Sequence, residues 1–141
     1  MTTKLKQALI GGIIGTAVMT IVMMIAPMMG MPKMSPPELL SMMIGFPVLV
    51  GWIMHFMIGI IFAIAYALFF INLVKKVSNN ILKGALFGMA VFIFAQIMMA
   101  IMGMMFPMPP VEGSMMLMMV GSLLGHVIFG ITVAQFVKEQ A

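Results

Sequence analysis

The sequence predicts an all-α integral membrane protein: four transmembrane helices in two duplicated hairpins, with a short amphipathic helix in the first outer loop. Of its 141 residues, 64% are hydrophobic and 7% are charged. A soluble domain of this size leaves too much surface exposed to hide that apolar area. Four apolar runs can each cross about 30 Å of hydrocarbon at about 1.5 Å per residue. They cover approximately residues 8–29, 48–71, 82–105 and 115–137.

The first apolar run resembles a secretion signal because Lys4 and Lys6 precede it. It is longer than a signal core and has no clear cleavage site with small residues, so we expect a retained helix.

The first outer loop, Gly30–Pro47, contains a helix-start pattern. Ser35 can cap a helix whose first turn holds Pro36 and Pro37, with the acidic Glu38 following. We therefore expect a short helix on the outer surface that ends near Gly45.

The chain is an internal duplication within one domain, residues 1–141, with units of approximately 1–74 and 78–141. The segment Lys6-Gln-Ala-Leu-Ile-Gly11 is echoed by Lys83-Gly-Ala-Leu-Phe-Gly88. Each unit is a two-helix hairpin that returns the chain to its starting side, which predicts repeats related by an axis along the membrane normal. The second and fourth helices should then run in the same direction and face each other across the bundle.

The lysines predict the orientation of the bundle. Six of the seven lie in the N-terminal segment, the middle loop and the tail, and only Lys33 lies on the opposite side. The positive-inside rule then places both termini in the cytoplasm, in a multi-pass protein of the inner (cytoplasmic) membrane. Without arginine or a large basic cluster, nucleic acid is not an expected partner. Without cysteine, disulfides and thiolate chemistry are excluded.

Two histidines stand in matching apolar frames. An imidazole inside a transmembrane segment is costly and indicates a functional site. Each histidine has a small residue four positions before it and a glycine four positions after it, in the segments Gly51-Trp-Ile-Met-His55-Phe-Met-Ile-Gly59 and Ser122-Leu-Leu-Gly-His126-Val-Ile-Phe-Gly130.

This repeated frame predicts a b-type haem held between His55 and His126, in a protein that transfers single electrons. Bundle cores hold cofactors between facing side chains, and imidazole is a common haem ligand. The small residues on the same helix faces would leave room for the macrocycle edge: Gly51, Gly59, Ser122 and Gly130. A quinone or a larger membrane redox complex would be the partner. The alternative is that the histidines bond neighbouring helices and the glycines serve packing.

Methionine is the second unusual feature, with 23 residues concentrated in the predicted outer half. Thioethers and imidazoles are ligands that suit Cu(I). The alternative function is therefore a copper(I)-binding membrane protein or a copper-enzyme accessory subunit, with Met98 and Met102 joining the histidines. Methionine can also be a flexible substitute for leucine in packing.

The sequence has few groups for catalysis, so we do not expect an enzyme on its own. No aspartate or glutamate lies within an apolar run, and Ser122 has no third group to orient His126 as a base. A non-catalytic structural subunit of a larger membrane complex is the third alternative. Besides the lipid bilayer, a second copy of the chain is a further partner to consider.

Three segments resemble a family of small four-span prokaryotic membrane proteins of unknown function. They are Gly11-Gly-Ile-Ile-Gly15-Thr16-Ala17, the frame from Gly51 to Gly59, and His126-Val-Ile-Phe-Gly130. The resemblance covers most of the chain and implies four helices and recurring histidines. It brings no activity with it.

Overall fold

The computed structural model describes residues 3–108, 110 and 113–138, and every regular element among them is helical. We number the helices α1 to α5. The helices are α1 (Thr3–Ile25), α2 (Pro36–Ile44), α3 (Val48–Leu73), α4 (Asn80–Met105) and α5 (Met115–Phe136). A 3₁₀ turn, Ala26–Met29, follows α1, and the second half of α3 contains a π turn, Tyr66–Phe70.

Local sequence explains where these helices begin and end. Asn79 caps α4, because its side-chain oxygen accepts hydrogen bonds from the backbone N–H groups of Ile81 and Leu82 at 2.8 and 3.3 Å. Gly45 ends α2 with φ of 71°, a conformation that glycine adopts without strain. The short helix thus follows the predicted prolines, although the Ser35 side chain makes no capping hydrogen bond.

Four helices are long and apolar enough to cross a membrane, and they identify a multi-pass membrane protein. We call the end where α1 ends and α3 begins the methionine-rich end. The opposite end, where residues 74–79 connect α3 to α4, is the lysine-rich end. The short helix α2 lies at the methionine-rich end and packs against α3.

Helices α1 and α5 form the centre of the bundle. Helix α1 packs against α3 and α5, and α5 also packs along α4. The contact between α4 and α5 is especially close: a Cβ at Gly88 would overlap the backbone of His126, and one at Gly84 would overlap the backbone at Ile131. Small residues allow helices in membranes to approach in this way.

Helices α3 and α4 meet mainly through aromatic side chains. Near the lysine-rich end the ring of Phe87 lies 4.9 Å from that of Tyr66 and 5.1 Å from that of Phe70. Midway along the bundle, Phe62 and Phe94 form an edge-to-face pair at 5.5 Å. Beyond this pair, toward the methionine-rich end, the space between the two helices forms part of a cavity.

Candidate binding cavity between two histidines

The main candidate site is a cavity of about 210 Å³ in the methionine-rich half of the bundle. We call it the histidine cavity. All five helices and the segment before α2 contribute to its lining. The residues that contribute polar or sulfur atoms are Thr16, Met19, Met23, Met34, His55, Gln96, Met99, Ser122 and His126. No aspartate, glutamate or lysine among the described residues lines it.

His55 lies on the buried face of α3. Gly51, His55, Gly59 and Ala63 are all buried, as expected for residues four apart that share one helix face. The Thr20 hydroxyl donates to the carbonyl oxygen of Thr16 at 2.7 Å, which uses its only proton. His55 Nε2 lies 3.0 Å from the Thr20 hydroxyl oxygen. We therefore assign the proton of this bond to Nε2, which leaves Nδ1 of His55 as the nitrogen with a lone pair.

His126 is held within its own helix. Its Nδ1 lies 2.7 Å from the carbonyl oxygen of Ser122, one turn earlier. A carbonyl oxygen only accepts hydrogen bonds, so Nδ1 carries the proton and donates it. This contact is local to α5, whereas His55 uses Thr20 of the neighbouring helix α1. The edge of Phe92 packs against the His126 ring at 6.0 Å.

The two histidines therefore offer lone pairs at different atoms, Nδ1 of His55 and Nε2 of His126. Within the part of the chain that the structure describes, neither atom has a hydrogen-bond partner. Both residues line the same cavity. A neutral imidazole nitrogen of this kind can accept a proton donor or bind a metal ion. At His126, the bond from Nδ1 also orients the ring as partners of metal-binding histidines usually do.

The glycines of the histidine frames serve helix packing. A Cβ at Gly51 would overlap the carbonyl oxygen of Pro37, and one at Gly59 would overlap the Thr16 hydroxyl. A Cβ at Gly130 would overlap the backbone at Gly84 and Gly88. The space expected there for a macrocycle edge is thus filled by neighbouring segments, although Gly59 and Ser122 also line the cavity.

Four methionines line the histidine cavity together with the two histidines. Met19 and Met23 come from α1, Met34 from the segment before α2, and Met99 from α4. The two methionines expected from the sequence to join the histidines, Met98 and Met102, are not among the lining residues. Because α4 is apolar on all sides, hydropathy did not indicate which of its faces is turned inward.

Contacts with α5 hold part of this thioether group. The position that a Cβ on Gly125 would take lies 3.0 Å from Met23 Cε and 3.5 Å from Met19 Cγ. The equivalent position on Gly121 lies 3.1 Å from Met34 Sδ. Glycines on α5 thus allow thioethers to lie directly against the helix that carries His126.

Within residues 3–108, 110 and 113–138, no group of three or more histidine, cysteine, aspartate or glutamate side chains could hold a metal ion. A metal in the histidine cavity would therefore need ligands beyond the two imidazoles, such as thioethers or the Gln96 amide. The cavity methionines of α1 were not among the ligands expected from the sequence. Met19 and Met23 are nevertheless spaced by four and lie close to Thr16 and Thr20 in the chain, which places them on one helix face.

Comparison with known proteins gives the family of the chain. Residues 2–140 match a family of unknown function, DUF6789, and the chain belongs to this family. No curated protein and no solved structure matches the chain.

Proposed function

We propose that this member of a family of unknown function is a copper(I)-binding membrane protein that holds one Cu(I) ion in the histidine cavity. Nε2 of His126 and Nδ1 of His55 would each supply a lone pair. One or two thioethers of Met19, Met23, Met34 and Met99 would complete the coordination. Imidazole and thioether together form a ligand set that suits Cu(I).

The observation that carries this proposal is the chemistry of the cavity lining. The lining contains two imidazoles with free lone pairs and four methionines. Among the residues that the structure describes, no charged side chain lines this space. A hard divalent ion such as Ca²⁺ or Mg²⁺ would require oxygen ligands, above all carboxylates. A soft monovalent ion is satisfied by neutral sulfur and nitrogen ligands.

A b-type haem between His55 and His126, acting in one-electron transfer, is the second candidate. The bond from His126 Nδ1 to the Ser122 carbonyl favours it, because this bond leaves Nε2 free for iron. Two features of the structure would have to change before a haem could bind. His55 Nε2 is bonded to Thr20. The cavity of about 210 Å³ is also smaller than the roughly 300–1,000 Å³ typical of pockets for drug-sized ligands. Helix α3 would have to move away from α4.

We also propose an orientation: the protein lies in the inner (cytoplasmic) membrane, and its lysine-rich end faces the cytoplasm. The lysines of this end support the proposal through the positive-inside rule. The methionine-rich end and its cavity would then lie toward the outside. The protein would bind copper there and pass it to a larger membrane enzyme.

The test is a Cu(I) titration of the detergent-purified full-length protein under anaerobic, reducing conditions, with bicinchoninate as the competing chelator. We expect one Cu(I) per chain, and X-ray absorption that shows both nitrogen and sulfur ligands. The matched variant is His55→Phe/His126→Phe, which keeps ring volume and removes both lone pairs. It should lose binding while it keeps the elution volume of the parent protein.

The same preparation distinguishes the other candidate functions. A Soret band after haem-sufficient expression, lost in the double phenylalanine variant, would favour haem over copper. If neither Cu(I) nor haem binds, both cofactor proposals fail and the role of a non-catalytic subunit becomes the better explanation.

A further inference from the structure

A second cavity adjoins the histidine cavity at the methionine-rich end. It has a volume of about 430 Å³ and lies between α1, residues 26–34 and α5. We call it the loop cavity. Four of its lining residues are methionines. None of the charged residues that the structure describes lines it. Two of these methionines, Met23 and Met34, also line the histidine cavity.

The methionines of the loop cavity lie at increasing depth. Met29 is 82% exposed, whereas Met23 is only 5% exposed. Met31 and Met34 are partly buried between these limits. Thioethers are therefore present from the surface of the bundle to the wall of the histidine cavity.

These thioethers pack one after another against glycines of helix α5, in the direction of His126. The position that a Cβ on Gly121 would take lies 3.2 Å from Met31 Cε as well as 3.1 Å from Met34 Sδ. One turn further along α5, Gly125 makes the equivalent contact with Met23. Met23 and His126 both line the histidine cavity, so this row of thioethers ends at the wall of the proposed site.

We infer that Cu(I) reaches the histidine cavity along this row, from Met29 and Met31 to Met34 and Met23 and then to the histidines. This inference rests on the proposed function. In each step one copper–ligand bond forms while another breaks, and copper stays Cu(I). No proton is released, because thioethers have none and each imidazole coordinates through its unprotonated nitrogen. Soft, neutral ligands at every step suit this exchange.

A third cavity, of about 300 Å³, offers a competing route between α1 and α2. Its lining includes Met23, Met24, Met34, Lys33 and Glu38. Lys33 Nζ and Glu38 Oε2 form an ion pair at 3.6 Å. This ion pair and the hydroxyl groups of Thr20 and Ser35 are hard oxygen and nitrogen groups, which suit Cu(I) less well than thioethers do. The loop cavity has no described group of this kind, which is why we assign the route to it.

The experiment measures the rates of Cu(I) transfer into and out of the protein. Full-length protein in detergent is mixed with the Cu(I)–bicinchoninate complex, and loss of the complex is followed by its absorbance. Loaded protein is then mixed with excess chelator to measure release. In the variant Met29→Leu/Met31→Leu, side-chain volume is nearly conserved, so the fold should be kept. We expect loading and release each to slow by about tenfold or more, with the Kd for Cu(I) unchanged.

The matched control is Met104→Leu/Met116→Leu, which changes two exposed methionines of the same end that line neither cavity. It should load and release at the parent rates. Parent rates in the Met29→Leu/Met31→Leu variant would overturn the route while leaving the copper site intact. A weaker Kd with unchanged loading would also overturn it, because these methionines would then be ligands. Absence of Cu(I) binding by the parent protein would instead overturn the proposed function itself.

Discussion

The two hairpins contain the same histidine frame but hold the histidine in different ways. In the first hairpin, His55 donates from Nε2 to Thr20 on the neighbouring helix α1. In the second, His126 donates from Nδ1 to a carbonyl oxygen of its own helix. The two frames thus match in sequence, but the nitrogen that remains free differs between the two imidazoles.

The partner residues explain the difference. In the alignment of the two hairpins expected from the sequence, which pairs Gly11 with Gly88, Thr20 corresponds to Ile97. Ile97 has no hydroxyl and is 54% exposed on the outside of the bundle. His126 therefore has no equivalent partner on α4 and bonds to Ser122. The neighbouring helix thus decides which nitrogen of His55 is free, whereas a carbonyl of its own frame decides it for His126.

The contact between the two helices also differs between the hairpins. In the second hairpin, Gly88 and Gly130 bring backbone against backbone. In the first, Gly59 accommodates the hydroxyl of Thr16, which donates to the Gly12 carbonyl at 2.7 Å. The first hairpin also has a close backbone approach, at Gly12 against Ile60, but it holds the polar Thr16 side chain between its helices as well.

Among the substitutions that compare the two hairpins, Gly88→Ala is expected to cause the largest loss of stability. The new Cβ would overlap the backbone of His126 and Val127, and backbone cannot rotate away as a side chain can. We expect a loss of about 3 kcal/mol or more of stability, measured as a lower melting temperature by size-exclusion chromatography of heated samples. Gly103→Ala is the control, since its Cβ would meet only the flexible Met108 side chain at 3.3 Å. Equal melting temperatures of the two variants would contradict the close backbone contact.

The second prediction compares the histidines as ligands. His126 offers Nε2 at the tip of its ring, whereas His55 offers Nδ1 close to its own backbone. We expect His126→Ala to weaken the Kd for Cu(I) by about 100-fold and His55→Ala by about tenfold. Chelator competition measures both. A larger loss for His55→Ala would reverse this assignment of the principal ligand.

Thr20→Val tests the bond that is present only in the first hairpin. Valine keeps the shape of threonine and removes the oxygen that accepts from His55, leaving a buried N–H without a partner. We expect a loss of about 1–3 kcal/mol, measured by the same thermal assay. Ile97→Val, at the duplicated position, is the control and should change stability little. If both variants melt at the same temperature, the Thr20–His55 bond adds nothing to stability.

The smallest effect is expected for Ser122→Ala in the second hairpin. The serine hydroxyl is 3.5 Å from His126 Nδ1, while the carbonyl of the same residue is at 2.7 Å. Alanine keeps that carbonyl, so stability should change by less than about 0.5 kcal/mol. The Kd for Cu(I) should remain that of the parent protein. A large change in either quantity would show that the hydroxyl, and not the carbonyl, orients the ring.

Much of the fold could be predicted from local sequence. The expected boundaries at residues 105 and 115 coincide with the end of α4 and the start of α5, because a proline-containing segment interrupts a continuous apolar sequence there. The start of α1 at Thr3 lies earlier than the expected residue 8, since a helix can extend beyond its apolar part. The π turn in α3 had no signal in the apolar sequence around it.

The histidine cavity could be predicted only in part. His55 and His126 stand out because imidazole is costly in a membrane, and the structure places both on one cavity. The sequence could not show which of its 23 methionines line the cavity. The structure identifies four: Met19, Met23, Met34 and Met99. A transmembrane helix is apolar on its lipid-facing and inward-facing sides alike, so hydropathy does not reveal the inner face.

The sequence by itself determined four apolar helices, the short helix between the first two, and two histidines in matching frames. Each of these follows from residues close together in the chain, through helix length, caps and hydropathy. Tertiary structure decided which nitrogen of His55 is free and which thioethers line the cavity with the two imidazoles. The physical reason is that these depend on contacts between distant positions, such as the bond between Thr20 and His55 on different helices, which only packing brings together.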